Sequence, residues 1–575
     1  MRKTALLCRA SLVASAFVGF TAAPAHAQDA DAAAEDDTIV VVARRIEERI
    51  TDVPVAITAM NQAQLERQGA NTLAGIQGAV PNVNVVQGRG SSSSANMFIR
   101  GIGQPDALQT FDPAVGIYVD GVYFSRIQGA LLNLFDVQRV EVLRGPQGTL
   151  YGKNTIGGAV NVVSRKPDLD TLKGEAAFTY GEYNETTAKG YVSAPLVPGK
   201  VALSLAGVYD NRDGIVTDPL TGKKYNDRNN LSGRAILRAQ AADNVEILLS
   251  GDYTKQRNDL TLGYATASLV GFDYNATFTA ATPFVIATAE PYGPYDYKAS
   301  TSFTNGEGQQ LDHWGASGTI NVDLSDGLQF SSITAYRRLL SKNYVDIDAT
   351  QAQLGDVYVD VRQHQFSQEL QLKLNTKKLK GVFGVYFLNE HINSHQEAYA
   401  NSYLRYVGTP LNFIRTIDDE QDTKSYAAFG QLSYALSDQL SVTAGLRYTH
   451  ETKQYYRTTT ATTSLGTTPL LVSTFTFPNS LPAPNNAINT VSFDAWTPMA
   501  SLSYKPSENV MFYASASRGF KSGGFNGRAN SLADLTQSVN GSNVLVTTFR
   551  PESVWTYEFG AKGTFADGKI AFAAN

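Results

Sequence analysis

Cysteine is almost missing from this chain. The one cysteine among 575 residues, Cys8, lies inside an N-terminal export signal, so disulfides and thiol chemistry are excluded from everything after it. Long apolar runs are missing too. Past the N-terminus no uninterrupted apolar stretch of about 18 residues occurs, which excludes a helical membrane bundle. Basic residues are in deficit, with 48 Lys+Arg against 53 Asp+Glu, and no basic face suggests nucleic acid as a partner. Catalytic signatures are lacking: there is no Gly-x-Ser-x-Gly, no His-Glu-x-x-His and no carboxylate pair suited to acid–base work, so no enzyme is expected. A phosphate-cradling loop fails on spacing. Gly148 and Gly152 enclose three residues rather than four, and Lys153 is followed by Asn154 rather than Ser or Thr. Histidine is scarce, at six residues. His391 and His395 are four apart, but they fall where a strand runs into a loop, where that spacing puts them on no common face, and no third ligand accompanies them. Neither a metal nor a cofactor is expected.

What the chain does have is 29 Tyr, 27 Phe and 48 Gly. Its first 27 residues read as a secretory signal, with Arg2 and Lys3 as the charged start, Ser11 to Ala23 as the apolar segment and Ala25-His26-Ala27 as the cleavage site. Cleavage there removes Arg2, Lys3 and Arg9 and takes the formal charge from −5 to −8. Gln28 to Asp37 is acidic and Ala-rich and is expected to lack order. Asp37-Thr38-Ile39-Val40-Val41-Val42-Ala43 is a short β-prone run followed by Arg44 and Arg45. It reads either as the first strand of a domain or as an accessible strand offered to a partner's sheet edge.

Between residues 50 and 166 the pattern is mixed. Val53 to Thr58 and Asn82 to Val86 read as strands, and Asn61 to Gln68 and Thr72 to Ala79 as short helices, the second stopped before Pro81. From about residue 173 runs of some ten residues alternate strictly. Leu440, Val442, Ala444, Leu446 and Tyr448 share one face, and Ser441, Thr443, Gly445, Arg447 and Thr449 the other. Val245, Ile247, Leu249 and Tyr253 repeat this, as do Ile320, Val322 and Leu324. The connections alternate short and long: short near 241–244, 325–327, 375–378, 437–439, 505–509 and 566–568, long near 211–229, 257–310, 341–360, 391–422, 455–490 and 519–553. A soluble sandwich has no reason to keep that parity, whereas a barrel spanning an outer membrane keeps short turns on one side and long loops on the other.

The stretch Asp136 to Pro167, DVQRVEVLRGPQGTLYGKNTIGGAVNVVSRKP, organises the rest. A short strand leads into a run of glycines dense enough to pack closely against something else, and an apolar β-like run follows. Together with Phe98-Ile-Arg-Gly-Ile-Gly103 and Val115-Gly-Ile-Tyr-Val-Asp-Gly-Val-Tyr123 it resembles the plug domain of a TonB-dependent outer-membrane receptor of the siderophore type. Ser517 to Gly524 and Arg550 to Gly560 resemble late barrel segments of the same family.

The resemblance implies a mainly β fold, a transmembrane antiparallel β-barrel of the 22-stranded type filled by an N-terminal α+β plug. It implies residues 1–27 as signal peptide, 28–49 as a periplasmic segment with the TonB box at Asp37, Thr38, Ile39, Val40, Val41, Val42 and Ala43, 50–166 as plug and 167–575 as barrel. About 14 to 15 strands are expected here, with roughly 150 to 200 residues of C-terminal strands missing. The expected partners are TonB, outer-membrane lipid and a small ligand, taken to be an iron chelate, on a monomer in the bacterial outer membrane. Arg100 and Arg144 are expected against acids of the barrel wall, with Glu558 as the first partner and Glu369 as the second. Two plug loops, 104–113 and 123–129, are expected to face outward and to offer Asp106, Gln109, Phe111, Tyr123, Phe124 and Arg126 to a ligand, ordinary loop solvation being the alternative. The cargo expected is a ferric siderophore. A carbohydrate or other organic nutrient, suited to the aromatic-rich loop 257–310, and a passive porin are the alternatives.

Overall fold

The computed structural model describes residues 39–88, 92–264, 267–277, 279–287, 295–304, 306–539, 541–565 and 570–575. The signal segment, Asp37 and Thr38 lie outside the described residues.

The N-terminal part is built from short strands. Val40–Val41 (β1) pairs antiparallel with Glu48–Arg49 (β2). Ile57–Asn61 (β3) leads into the helix Gln62–Arg67 (α1). Asn61 caps that helix: its side chain accepts from the Gln64 amide and the Gln64 side chain accepts from the Asn61 amide, which satisfies two otherwise orphaned donors. Val83–Val86 (β4), Asn96–Ile99 (β5) and Ile102–Gly103 (β6) form a three-stranded sheet. Val115–Val119 (β7), Val122–Phe124 (β8), Val137–Arg144 (β9) and Gly158–Ser164 (β10) join β3 in a five-stranded sheet of order β3-β9-β10-β7-β8, in which only the β10–β7 pair is parallel. One face of this sheet buries Val140, Val142, Ile117 and Val160 with Leu73, Ile76 and Ile99. The other packs Tyr118, Tyr123, Leu143 and Tyr151 onto Val382, Leu388 and Phe429 of the surrounding wall. Two expectations shift. The strand placed at Val53–Thr58 begins at Ile57, and the helix placed at Thr72–Ala79 is a single 3₁₀ turn, Leu73–Ile76. Pro54 removes a ladder donor, and Gly75 and Gly78 weaken a longer helix.

Lys173–Tyr180 (β11) opens a 17-stranded antiparallel sheet that runs to Ile570–Ala574. Thr490–Trp496 and Met499–Ser507 both pair with Leu440–Leu465 and are one strand interrupted at Pro498, while Thr468–Phe477 is the return of an outer hairpin. The wall therefore has fifteen strands among the described residues. Short turns at 198–200, 243–244, 326–327, 376–378, 436–439 and 508–509 mark one end. The alternation reads out as faces: Val442 and Leu446 point out, while Thr443, Arg447 and Thr449 are buried inside. Outward aromatics form a belt of cross-strand contacts, with Trp314–Tyr336, Phe387–Tyr426 and Tyr448–Trp496 centroids at 5.5, 5.0 and 4.8 Å.

The long connections are shorter than the sequence pattern suggests, because strands continue into them. Asn412–Ala435 runs for 24 residues and Leu440–Leu465 for 26, well beyond the roughly ten needed to cross the bilayer. Thr- and Asp-rich stretches such as 415–423 and 458–464 pair as hairpins above the membrane, where no lipid imposes an apolar face. This also corrects the reading of His391 and His395. Leu379–Tyr399 is one strand, its side chains alternate with period two, and both histidines lie on the same outer face. His391 meets Asp422 at 2.9 Å and His395 meets Asp418 at 2.7 Å, so each is paired with a carboxylate across the strand.

Candidate functional site

Glycine brings the N-terminal domain against the wall. Gly145, with φ +85°, turns the chain between β9 and β10. A Cβ on Gly148 would sit 2.7 Å from both the Arg518 carbonyl oxygen and Thr497 Cγ2. A Cβ on Gly152, at φ +90°, would meet the Arg447 guanidinium at 2.7 Å. Only hydrogen side chains allow this approach. Thr149 Oγ1 donates to the Thr497 carbonyl at 2.8 Å, and Thr497 Oγ1 donates to the Gly148 carbonyl at 2.9 Å.

At the short-turn end, β1 is docked rather than free. Val41 is fully buried, the Val42 amide donates to Glu141 Oε1 at 2.9 Å, and the Ile50 amide donates to the Ile39 carbonyl. Arg44 forks onto Glu48 and reaches Ser433 on the wall. Arg45 lies over the Tyr151 ring at 4.6 Å, 3.8 Å from Glu369. Burial disfavours its charge, but Glu369 together with Tyr151, Tyr118 and Tyr386 outweighs that and raises its pKa. Lys562 Nζ donates to the Ile50 and Val53 carbonyls at 3.1 and 2.7 Å. The described part of the proposed box is thus a closed hairpin in this conformation, not the accessible strand expected.

Midway, Arg100 Nη2 meets Glu558 Oε2 at 2.8 Å, and Glu558 Oε1 accepts from Tyr513 at 2.6 Å and from the Ala56 amide at 3.1 Å. Arg144 behaves differently. It bonds Asn575 Oδ1 at 3.4 Å and makes no ion pair with Glu558 among the described residues. Burial and the neighbouring Arg100 charge lower its pKa. Glu369 serves Arg45, not Arg100 or Arg144, which lie together near Glu558.

At the long-loop end the residues expected to await a ligand are already engaged. Tyr123 and Phe124 are not loop residues. They belong to β8 and are buried, Tyr123 against Tyr118 and Phe124 under the Arg337 guanidinium at 4.0 Å. Arg126 is buried, with Nε and Nη2 on the two Glu390 oxygens at 2.8 and 2.5 Å, and Nη1 on the Gln109 carbonyl at 2.7 Å and near Asp112 at 3.3 Å. Gln109 donates to Asp419, which also binds Arg457 and the Tyr455 hydroxyl. Asp106 pairs with Arg528 at 2.5 Å, and Phe111 stacks edge-on to Phe549 at 5.7 Å.

Behind Arg126 the charges chain onward. Asp112 accepts from Lys453 at 2.7 Å, Lys453 lies 3.5 Å from Glu451, and Glu451 accepts from Lys153 at 2.6 Å. Burial works to raise the Asp112 carboxyl, but Lys453, Lys153 and Arg126 outweigh it and hold it well below the usual carboxylate range. Burial likewise works against the Lys153 and Arg126 cations, and the facing carboxylates outweigh it and raise both. Sequence reasoning missed Asp112, Lys153, Glu390, Asp419, Glu451, Lys453 and Arg457. One signal was present: Glu451, Lys453, Tyr455 and Arg457 share the inward parity of a strand whose other face is outside.

A domain plugged into a barrel by its own glycines and charges has a family counterpart. The family model "TonB-dependent Receptor Plug Domain" matches residues 49–159, and "TonB dependent receptor-like, beta-barrel" matches 249–575. The chain belongs to the TonB-dependent receptors. These are outer-membrane receptors, not an enzyme family. Among curated relatives, the pesticin receptor of Yersinia pestis is 24% identical over 440 residues, covering 74% of this chain and 58% of that protein. The vitamin B12 transporter BtuB of Vibrio vulnificus (strain CMCP6) is 29% identical over 206 residues, 35% of this chain and 32% of the relative. The chain thus spans between a third and three-fifths of the length of these relatives. The ferric yersiniabactin uptake receptor FyuA from Yersinia pestis shares the fold at a TM-score of 0.66 and 20% identity, covering 89% of this chain and 70% of that one. The alcaligin receptor FauA from Bordetella pertussis does so at 0.57 and 14%, covering 93% and 72%.

Proposed function

We propose that this TonB-dependent receptor imports a scarce ligand, a ferric siderophore, across the outer membrane, with TonB pulling on the segment Asp37–Ala43. The observation that carries the reading is the two-ended plug. One end holds a short strand in a two-residue ladder, β1–β2, that a partner strand can replace by pairing with the same backbone groups. The other end presents Asp106, Gln109 and Arg126 in polar contacts with the outer wall, where a bound anion or chelate competes for the same donors and acceptors. The siderophore class is supported by the solved relatives, whose names specify ferric yersiniabactin, alcaligin and pyoverdine. The vitamin B12 transporter among the relatives keeps an organic nutrient as the second reading.

The test is growth and radio-iron uptake in an iron-starved Gram-negative host lacking its own receptors, given a panel of ferric siderophores and, in parallel, cobalamin. Uptake of one ferric chelate that disappears in a TonB-deficient host is the expected result. Uptake independent of TonB supports a porin, and cobalamin uptake without iron uptake supports the second reading. Val41→Pro, which removes a ladder donor from the box, should leave chelate binding intact and stop uptake.

A further inference from the structure

The connection between strands Leu328–Val345 and Asp356–Asn375 carries Asp346-Ile347-Asp348-Ala349-Thr350 and returns through Gly355 to Asp356. Asp346, Asp348 and Asp356 each bring a carboxylate oxygen within 4.8 Å of the other two. They are not a solvated acidic face: Asp348 is 8% exposed and Asp356 0%. Half of their hydrogen-bonding capacity is used locally. Asp346 Oδ1 accepts from the Asp348 and Ala349 amides, Asp348 Oδ1 accepts from the Thr350 amide and hydroxyl, and Asp356 accepts from the Ile347 amide and, at 2.5 Å, from Ser302 Oγ. Oδ2 of Asp346 and Oδ2 of Asp348 are buried without a donor. No Lys or Arg among the described residues forms an ion pair with any of the three. Ala349 of this loop and Phe303, next to Ser302, pack with Val216, Leu260 and Leu262 in an apolar floor.

Buried charges in native proteins are paired or coordinate metals, and a buried carboxyl with neither takes up a proton. Here three carboxyl groups converge, two of their oxygens lack donors, and no side-chain cation among the described residues answers them. We propose that Asp346, Asp348 and Asp356 form a divalent-cation site that takes calcium. The donors are all oxygen, which suits a hard cation and disfavours zinc or copper, and a loop-borne set of carboxylates suits the flexible coordination of calcium better than the strict octahedron of magnesium. Through Ser302 on Asp356 and Phe303 in the floor, such an ion clips the loop at 346–355 to the neighbouring segment 295–304 and orders the outer rim.

The experiment uses the full chain in detergent micelles after treatment with EGTA. Terbium is titrated in, its luminescence is sensitised by Tyr344 and Tyr399 beside Phe303, and calcium then competes. The expected result is a saturable signal displaced by calcium, with a Kd of about 10⁻³ M or tighter, as for extracellular modules. Asp348→Asn should weaken it about tenfold or more, since ligand charge sets affinity. Asp422→Asn, in the exposed His391–Glu420–Asp422 group, should leave it unchanged. Calcium should also protect the wild-type loop at 346–355 from protease, and EGTA should remove that protection, a readout that needs no variant. The proposal is overturned by no calcium-displaceable signal, by equal binding in Asp348→Asn, or by wild-type cleavage that is the same with calcium and EGTA.

Discussion

Removing the Arg126 guanidinium strands a buried carboxylate, and the size of the effect follows from the geometry. Arg126 gives Glu390 two short charge-assisted hydrogen bonds and holds the Gln109 carbonyl and Asp112 as well. Its side chain is 3% exposed and that of Glu390 is 1%. Breaking a buried pair by deleting one partner costs about 3–5 kcal/mol, because the remaining ion keeps its desolvation and loses its counter-charge. Ser125 and Gln363 still donate to Glu390, so Arg126→Met is placed at the lower end, about 3 kcal/mol, or roughly a hundredfold in the opening equilibrium of the plug. Adding Glu390→Gln removes the stranded charge and should restore about 1–3 kcal/mol of that loss. The near absence of cysteine supplies the assay. In a Cys8→Ser background, an Ala130→Cys reporter in the plug core is the single thiol, and its alkylation rate in rising urea reads plug opening. Strict additivity of the two substitutions would falsify the pairing as a determinant of plug stability.

Arg144→Ala should change plug opening by less than about 0.5 kcal/mol in the same assay, since no ion pair is lost and repulsion from Arg100 is relieved, whereas Arg100→Ala should cost several times more by stranding Glu558. A loss for Arg144→Ala as large as for Arg100→Ala counts against this placement. Gly148→Ala should destabilise plug docking by about 1–3 kcal/mol, because its Cβ meets backbone and Thr497 rather than a movable side-chain tip, and a neutral result refutes the close approach. The Asp112 carboxyl is depressed in the folded state. Its contribution is therefore present above its unfolded pKa near 4, persists as pH falls from 7 to 4, and is lost as pH falls through the lower folded value. Plug opening in wild type should be flat from pH 7 to 4 and then rise, and Asp112→Asn should open more readily at pH 7 with a weaker acid dependence.

Much of the wall was legible in the sequence because its signals are local. Period-two alternation at Leu440–Thr449 assigns each side chain to lipid or lumen before any strand has a partner, and Asn61 and Gln64 sit at capping-box spacing whatever packs above them. The glycines after Arg144 announced a close contact, though not with what. The pairings were not legible. Arg126 reaches Glu390 across 264 residues and Arg100 reaches Glu558 across 458, and which acid faces which base depends on the register of every intervening strand. Arg100 and Arg144 share an Arg-Gly motif and lie near one another, yet only the first pairs with Glu558, while Arg144 reaches Asn575. The same holds for Val40–Val41, a β-prone run whose sequence allows either a free strand or a docked one. Its ladder with Glu48 and Arg49 is local, but Glu141, which accepts from the Val42 amide, is brought to it only once the plug is folded. Short-range periodicity is written in neighbouring residues, while long-range electrostatic partnership exists only after curvature and register bring distant strands around a common interior.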